Sequence, residues 1–282
     1  MKINEFRIRD PFILPYNGVY YLYGTRGYKA EGFDVRTSRD LVEWSEPKEI
    51  FVPTDGFWGK YDYWAPEVHL YKSKFYMFAG FKSDDHRRGT HILVCDSPDG
   101  RFQPLTDEPC TPRDWECLDG TLYVDESGKP FVIYCHEWLQ CHDGEMCVQQ
   151  LSDDLKTPVG KPTVLFRASE LPGVRSVRDE SNFVTDGPFI VRLSHGRLLM
   201  LWSSFGKDGY LEAQTVNDSG DITGGWQMTN ERLFEKDGGH GMVFTAFDGR
   251  RYFIMHSPNT DGLERAVLFP VEEKDGFLRI VG

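Results

Sequence analysis

Three aspartates in this chain, Asp10, Asp119 and Asp186, open apolar, strand-like runs that read DPFILPY, DGTLYV and DGPFIVR. A carboxylate beside apolar residues costs free energy unless it is paired, hydrogen-bonded or left in a wet pocket. One such Asp before Pro or Gly reads as a turn former. Three in matching settings point instead to carboxylates gathered at one place. Crowded carboxylates repel, so at least one has its pKa raised. A pair held in different protonation states supplies a general acid and a general base. That is the equipment of glycoside hydrolysis, with a protonated carboxyl on the leaving oxygen and an ionised one on water or on the anomeric carbon.

The elements that must position these residues repeat along the chain. After the opening at Asp10 comes YWAPEVHLYKSKFYMFAG, then CLDGTLYVDESGKPFVIYC, VTDGPFIVRLSHGRLLMLWSS and GGHGMVFTAFDGRRYFIMHS. Each copy has a small or polar opening, an apolar strand, a tight turn with Gly or Ser and a second aromatic-rich strand, and a third strand follows. Taking Asp10, Ala65, Asp119, Asp186 and His240 as equivalent openings, the intervals are 55, 54, 67 and 54 residues, the long one holding an insertion near LPGVRSVRDESN. A period of about 50 residues with three or four strands per unit is the signature of a β-propeller. The sequence therefore predicts an all-β, five-bladed propeller forming one catalytic domain over residues 1–282. Inner strands of a propeller run along a central channel, so their openings converge at one mouth and bring Asp10, Asp119, Asp186 and His240 together.

Composition agrees. The chain has 282 residues, 40% hydrophobic and 27% charged, with 14% aromatic, 28 Gly and 16 Pro, a mixture that favours short strands and turns over long helices. A formal net charge of −12 with no dense Lys/Arg cluster argues against nucleic acid or an anionic membrane as partner. The six cysteines, Cys95, Cys110, Cys117, Cys135, Cys141 and Cys147, form no CxxC and fit no common zinc template, so free structural thiols are expected. MKINEFRIRD lacks an apolar signal core, and no stretch reaches transmembrane length. A cytoplasmic location is the expectation, with a periplasmic or secreted one the alternative if a leader precedes this sequence.

RDPF, WAPEV, LDGTLYVDESGKPF, DGPFI and GGHG, taken together in this order, resemble glycoside hydrolase family 43, the five-bladed propellers that release arabinose, xylose and related sugars with inversion. The resemblance implies that Asp10 is the general base and that Asp119 tunes and orients the acid. The family's acid is usually the Glu of an EGP motif; here the motif reads DGP, which gives the role to Asp186. Asp is one methylene shorter, so three outcomes stay open: Asp186 in a remodelled pocket, a substitute acid among Glu137, Glu180 and Glu116, or sugar binding without cleavage. GGHG implies that His240 lies on the channel axis near a hydrated cation such as calcium, structural or electrostatic in role, with no cofactor required for the chemistry. Arg265 resembles the family's substrate-contacting arginine.

Trp64, in WAPEV, is placed to act as a sugar platform, and His136, Glu137 and Trp138 follow a strand end that points toward the pocket. The expected activity is hydrolysis of terminal arabinofuranosyl, xylosyl or related bonds in oligo- or polysaccharides. Its rivals are a non-catalytic glycan-binding propeller and a retaining, invertase-like hydrolase. The last draws on Glu116-Cys117, yet that class opens on an Asn-Asp-Pro-Asn type of motif and this chain on RDPF. The sequence leaves oligomeric state open.

Overall fold

Asn17 and Gly18, with φ of 49° and 76°, close the hairpin between Arg9–Tyr16 and Val19–Thr25. Two successive positive-φ residues give a turn whose twist matches that of the paired strands. Lys72 and Ser73, at 44° and 70°, do the same between Tyr61–Tyr71 and Lys74–Lys82. In the computed structural model, which describes residues 1–27 and 29–281, such hairpins extend into five antiparallel sheets of four or five strands, at residues 9–51, 61–104, 117–167, 186–234 and 239–280. Strands follow in chain order within each sheet, except that in the fourth Arg232–Phe234 pairs with the third strand, and each innermost strand touches those of the two neighbouring sheets, which closes a ring. The protein is a five-bladed β-propeller.

The core lies between blades rather than along the axis. Phe33, Phe51, Tyr63 and Phe81 pack where blades one and two meet, and Phe166 and Trp202 where blades three and four meet. Aromatic edge-to-face packing fills the wedge between twisted sheets. Among the described residues no strand is exchanged at closure. Side chains of the N-terminal segment hold the ring shut instead: Arg7 bridges Glu264 and Asp261 at 3.0 Å each, and Arg9 donates to Asn259 at 2.7 Å.

Every inner strand carries a bulge at the same place, where two residues face one on the partner strand. The bulged pairs are Asp10-Pro11, Ala65-Pro66, Asp119-Gly120, Gly187-Pro188 and His240-Gly241. Their first residues all take positive φ, at 50°, 46°, 56°, 52° and 51°. Asp, His and Gly tolerate this region, whereas Ala65 is strained there. This corrects one expected equivalence. In blade four the bulge residue is Gly187, and Asp186 stands one place earlier, in register with Arg9, Trp64 and Leu118. The left-handed step is always followed by Pro or Gly, and in DGP the Gly takes it. The intervals between bulges are 55, 54, 68 and 53 residues. The long one contains the anticipated insertion, an irregular connection across residues 171–185.

Candidate active site

Asp10, on the blade-one bulge, is buried, 7% exposed, with its carboxylate among ring and guanidinium nitrogens and a hydroxyl. Oδ1 lies 3.1 Å from Nδ1 of His240, 3.5 Å from Nε of Arg9 and 3.6 Å from Nδ1 of His256; Oδ2 accepts the Thr25 hydroxyl at 2.7 Å. Burial alone would raise its pKa, but His240 and Arg9 reverse the sign and hold the carboxyl well below the usual range. Asp10 is therefore ionised. The backbone N–H of Asp10 donates to Nδ1 of His256 at 3.3 Å, so that nitrogen is the acceptor and the Nε2 hydrogen goes to Asn259 at 3.1 Å. Burial pushes the His256 pKa down to about 4, consistent with a neutral ring.

His240 behaves oppositely. Burial opposes its charge, yet Asp10, Asp119 and Asp186 together raise it to about 10. It is an imidazolium, with Nδ1 also 3.7 Å from Oδ2 of Asp119. The bulge of blade four packs directly against it: a Cβ on Gly187 would lie 2.7 Å from the ring.

Asp119 and Asp186 form a second, contrasting group. Oδ2 of Asp119 accepts the N–H of Gly187 at 3.0 Å, so blade three grips the residue after Asp186. Burial and the charges of Asp186 and Asp10 outweigh His240 and raise Asp119 to about 7. Asp186 is also raised, by burial against the pull of His240, Tyr210 and Arg9. Two such carboxyls titrate as a unit, and near neutral pH they retain a proton between them. Tyr210 donates its hydroxyl to Oδ2 of Asp186 at 2.9 Å, which leaves Oδ1 as the oxygen to carry that proton.

All four groups line one cavity of about 360 Å³, walled further by Trp64 and Trp138. Trp64 carries the Arg88 guanidinium 4.3 Å from its ring centroid. Arg88 in turn pairs with Asp62 at 2.7 Å and with Glu137, which also lines the cavity.

Other expected residues lie elsewhere. His136 does not line the cavity; it stacks on Trp115 at 4.3 Å and bonds Glu145 and Gln140 at 2.9 and 3.0 Å. Arg265 does not line it either. Its guanidinium turns back to the carbonyl of Glu264 at 2.9 Å, while alternation along the strand sends the Glu264 carboxylate the other way, to Arg7 and Arg9. Among substitute acids, Glu180 is exposed on the insertion. Glu116 is held ionised, burial being outweighed by the Arg88 N–H and by Lys82. The six cysteines are all free. As for a cation at His240, Nδ1 faces Asp10, and among the described residues no group of three or more His, Cys, Asp or Glu is arranged to hold a metal.

Sequence reasoning missed Thr25, Tyr210, Asn259 and Glu264, which join the site only through the folded ring; Arg9 was visible beside Asp10.

The family model for glycosyl hydrolases family 43 matches residues 3–277. The chain belongs to that family. As a family 43 member it is a glycoside hydrolase and acts on carbohydrate. Among solved structures it is similar to an endo-arabinase from Bacteroides thetaiotaomicron VPI-5482, with 43% identity, 98% of each chain covered and a TM-score of 0.93. A thermostable family-43 glycoside hydrolase is 25% identical over 98% of this chain and 93% of its own, with a TM-score of 0.84. An α-L-arabinofuranosidase from Lactobacillus brevis, 18% identical over 97% and 94%, shares the fold with a TM-score of 0.79. No curated protein matches the chain. No helix among the described residues is long and apolar enough to cross a membrane.

Proposed function

We propose that this family 43 enzyme cleaves arabinofuranosyl bonds of arabinan-type oligosaccharides with inversion, as one catalytic domain, using no cofactor in the chemistry. Asp10 is the base that takes a proton from the attacking water. Asp186 is the acid that protonates the leaving oxygen, and Asp119 keeps the acid protonated and in place through Gly187. One observation carries this assignment: in a single cavity the Asp10 carboxylate lies 3.1 Å from the His240 ring and is held low, while burial raises both Asp119 and Asp186. The same carboxyl type is thus ionised on one side and protonated on the other. The 43% identical structure named as an endo-arabinase supports arabinose as the sugar; xylosyl bonds are the second choice. Trp64 supplies an apolar face, and Glu137, fixed by Arg88, a hydroxyl acceptor.

The test is hydrolysis of an arabino-oligosaccharide followed by proton NMR from the first minutes. The inverted anomer is expected first, with Asp10→Asn slower by roughly 10³-fold while its circular dichroism matches wild type. The retained anomer would assign the retaining alternative, and binding without turnover the glycan-binding one.

A further inference from the structure

A bulge interrupts the strand ladder, so its N–H groups need acceptors elsewhere. In every blade a side chain of the preceding blade in the ring supplies one. Asp10 donates to His256 of blade five at 3.3 Å, Ala65 to Thr25 of blade one at 2.8 Å and Gly120 to Thr90 of blade two at 3.1 Å. Gly187 donates to Asp119 of blade three at 3.0 Å. In blade five both bulge N–H groups are held from blade four. His240 donates to Oγ of Ser203 at 2.7 Å, and Gly241 to Oε2 of Glu212 at 3.2 Å.

Glu212 is the carboxyl of this series that the reaction leaves unused. It is fully buried. Its Oε2 also accepts the Ser203 hydroxyl at 2.8 Å, and Oε1 has no partner among the described residues. Ser203 thus directs its hydrogen to Glu212 and offers a lone pair to the His240 N–H. The clamp is tied to the acid as well. Ser203 stands opposite Asp186 and Glu212 opposite Ser203, so one row of blade four runs from the acid to the His240 bulge. Tyr210, on the same face two residues before Glu212, holds Asp186. A buried carboxyl with an idle oxygen is costly in a scaffold. Here it fixes the backbone of the residue whose Nδ1 lies 3.1 Å from the base, where a misplacement of about 1 Å is enough to lower the rate.

We propose that Glu212 and Ser203 are positioning residues for the hydrolysis: together they fix the His240 backbone so that its ring meets Asp10, and they act on the reaction through His240. Burial pushes Glu212 up to about 8, so near neutral pH it serves as a fixed acceptor rather than as a counter-charge. An uncharged acceptor of the same shape can therefore replace it, and an apolar side chain cannot. This inference rests on the acid and base assigned above.

The experiment measures kcat and KM near neutral pH, on an arabino-oligosaccharide and a nitrophenyl arabinofuranoside, for Ser203→Ala, Glu212→Leu and Glu212→Gln. Each substitution is made in wild type and in His240→Gln, with circular dichroism of every variant. In wild type, Ser203→Ala and Glu212→Leu should lower kcat about tenfold with KM within about twofold, and Glu212→Gln should recover to within about threefold. In His240→Gln the same substitutions should change kcat by less than about twofold, because the ring they place is gone. Ser203→Ala removes a single oxygen, so it reports even if Glu212→Leu folds poorly. Equal losses in the two backgrounds, or an unchanged kcat in every folded variant, overturn the positioning role while leaving the acid–base reading in place. A wild-type enzyme inactive on both substrates overturns that reading and the positioning role with it.

Discussion

Tyr210 donates its hydroxyl to Oδ2 of Asp186 at 2.9 Å, from the third strand of the blade whose inner strand Asp186 opens. The bond favours the ionised carboxyl, against burial, which favours the neutral one. Because burial raises both carboxyls, Asp119 to about 7, kcat/KM should decline on the alkaline side as pH rises through about 7. Removing the donor in Tyr210→Phe should move that limb to higher pH, as measured by a pH profile on one substrate. A limb that moves to lower pH would mean that Tyr210 stabilises the protonated acid.

His240 governs the opposite side of the profile. Its positive charge keeps Asp10 ionised despite burial. In His240→Gln the Asp10 pKa should climb above its ordinary 3.8, since burial then acts with less opposition. Activity should acquire an acidic limb that the wild type lacks, visible in the same profile.

Buried charge also shapes stability. Glu212, fully buried, accepts from Ser203 at 2.8 Å and Gly241 at 3.2 Å, and burial outweighs these bonds to push it up to about 8 from an unfolded 4.5. Between those values the folded state holds a proton that the unfolded state releases, so this group's stabilising contribution is complete below about 4.5 and lost as pH rises through about 8. Glu212→Gln removes that dependence. Relative to wild type, its Tm should shift in the variant's favour by several degrees between pH 4.5 and pH 8. His240, raised from 6.5 to about 10, imposes a similar loss at higher pH, which the variant retains.

Gly187 has no room for a side chain. Its φ is 52°, and a Cβ would meet the His240 ring at 2.7 Å and its Cα at 3.1 Å. Gly187→Ala should cost about 2 kcal/mol or more and displace His240, lowering both Tm and kcat.

Much of this was legible in the sequence because the blades repeat. The repeated strand–turn–strand pattern announced the propeller, and the openings at Asp10, Asp119 and His240 fall on its bulges. Asp186 was found but misplaced by one residue, because a string alignment matches Asp with Asp whereas the bulge selects Gly187 for its positive φ. Tyr210, Asn259 and Glu264 carried no local mark: Tyr210 reaches the site from a third strand, and Asn259 and Glu264 from the connection between the second and third strands of blade five, at a closure seam that exists only in the folded ring. His136 was suggested by its place at a strand end and Arg265 by the family resemblance, and each side chain turns to partners outside the cavity.

In the proposed reaction Asp186 donates the proton although it stands where the family usually has a longer acid. That role is tested most directly by Asp186→Asn on two substrates with the same glycone. An aryl glycoside with a good leaving group needs little protonation, so its kcat should fall about tenfold or less, while the arabino-oligosaccharide should lose roughly 10²–10⁴-fold. Equal losses on both would contradict the acid role.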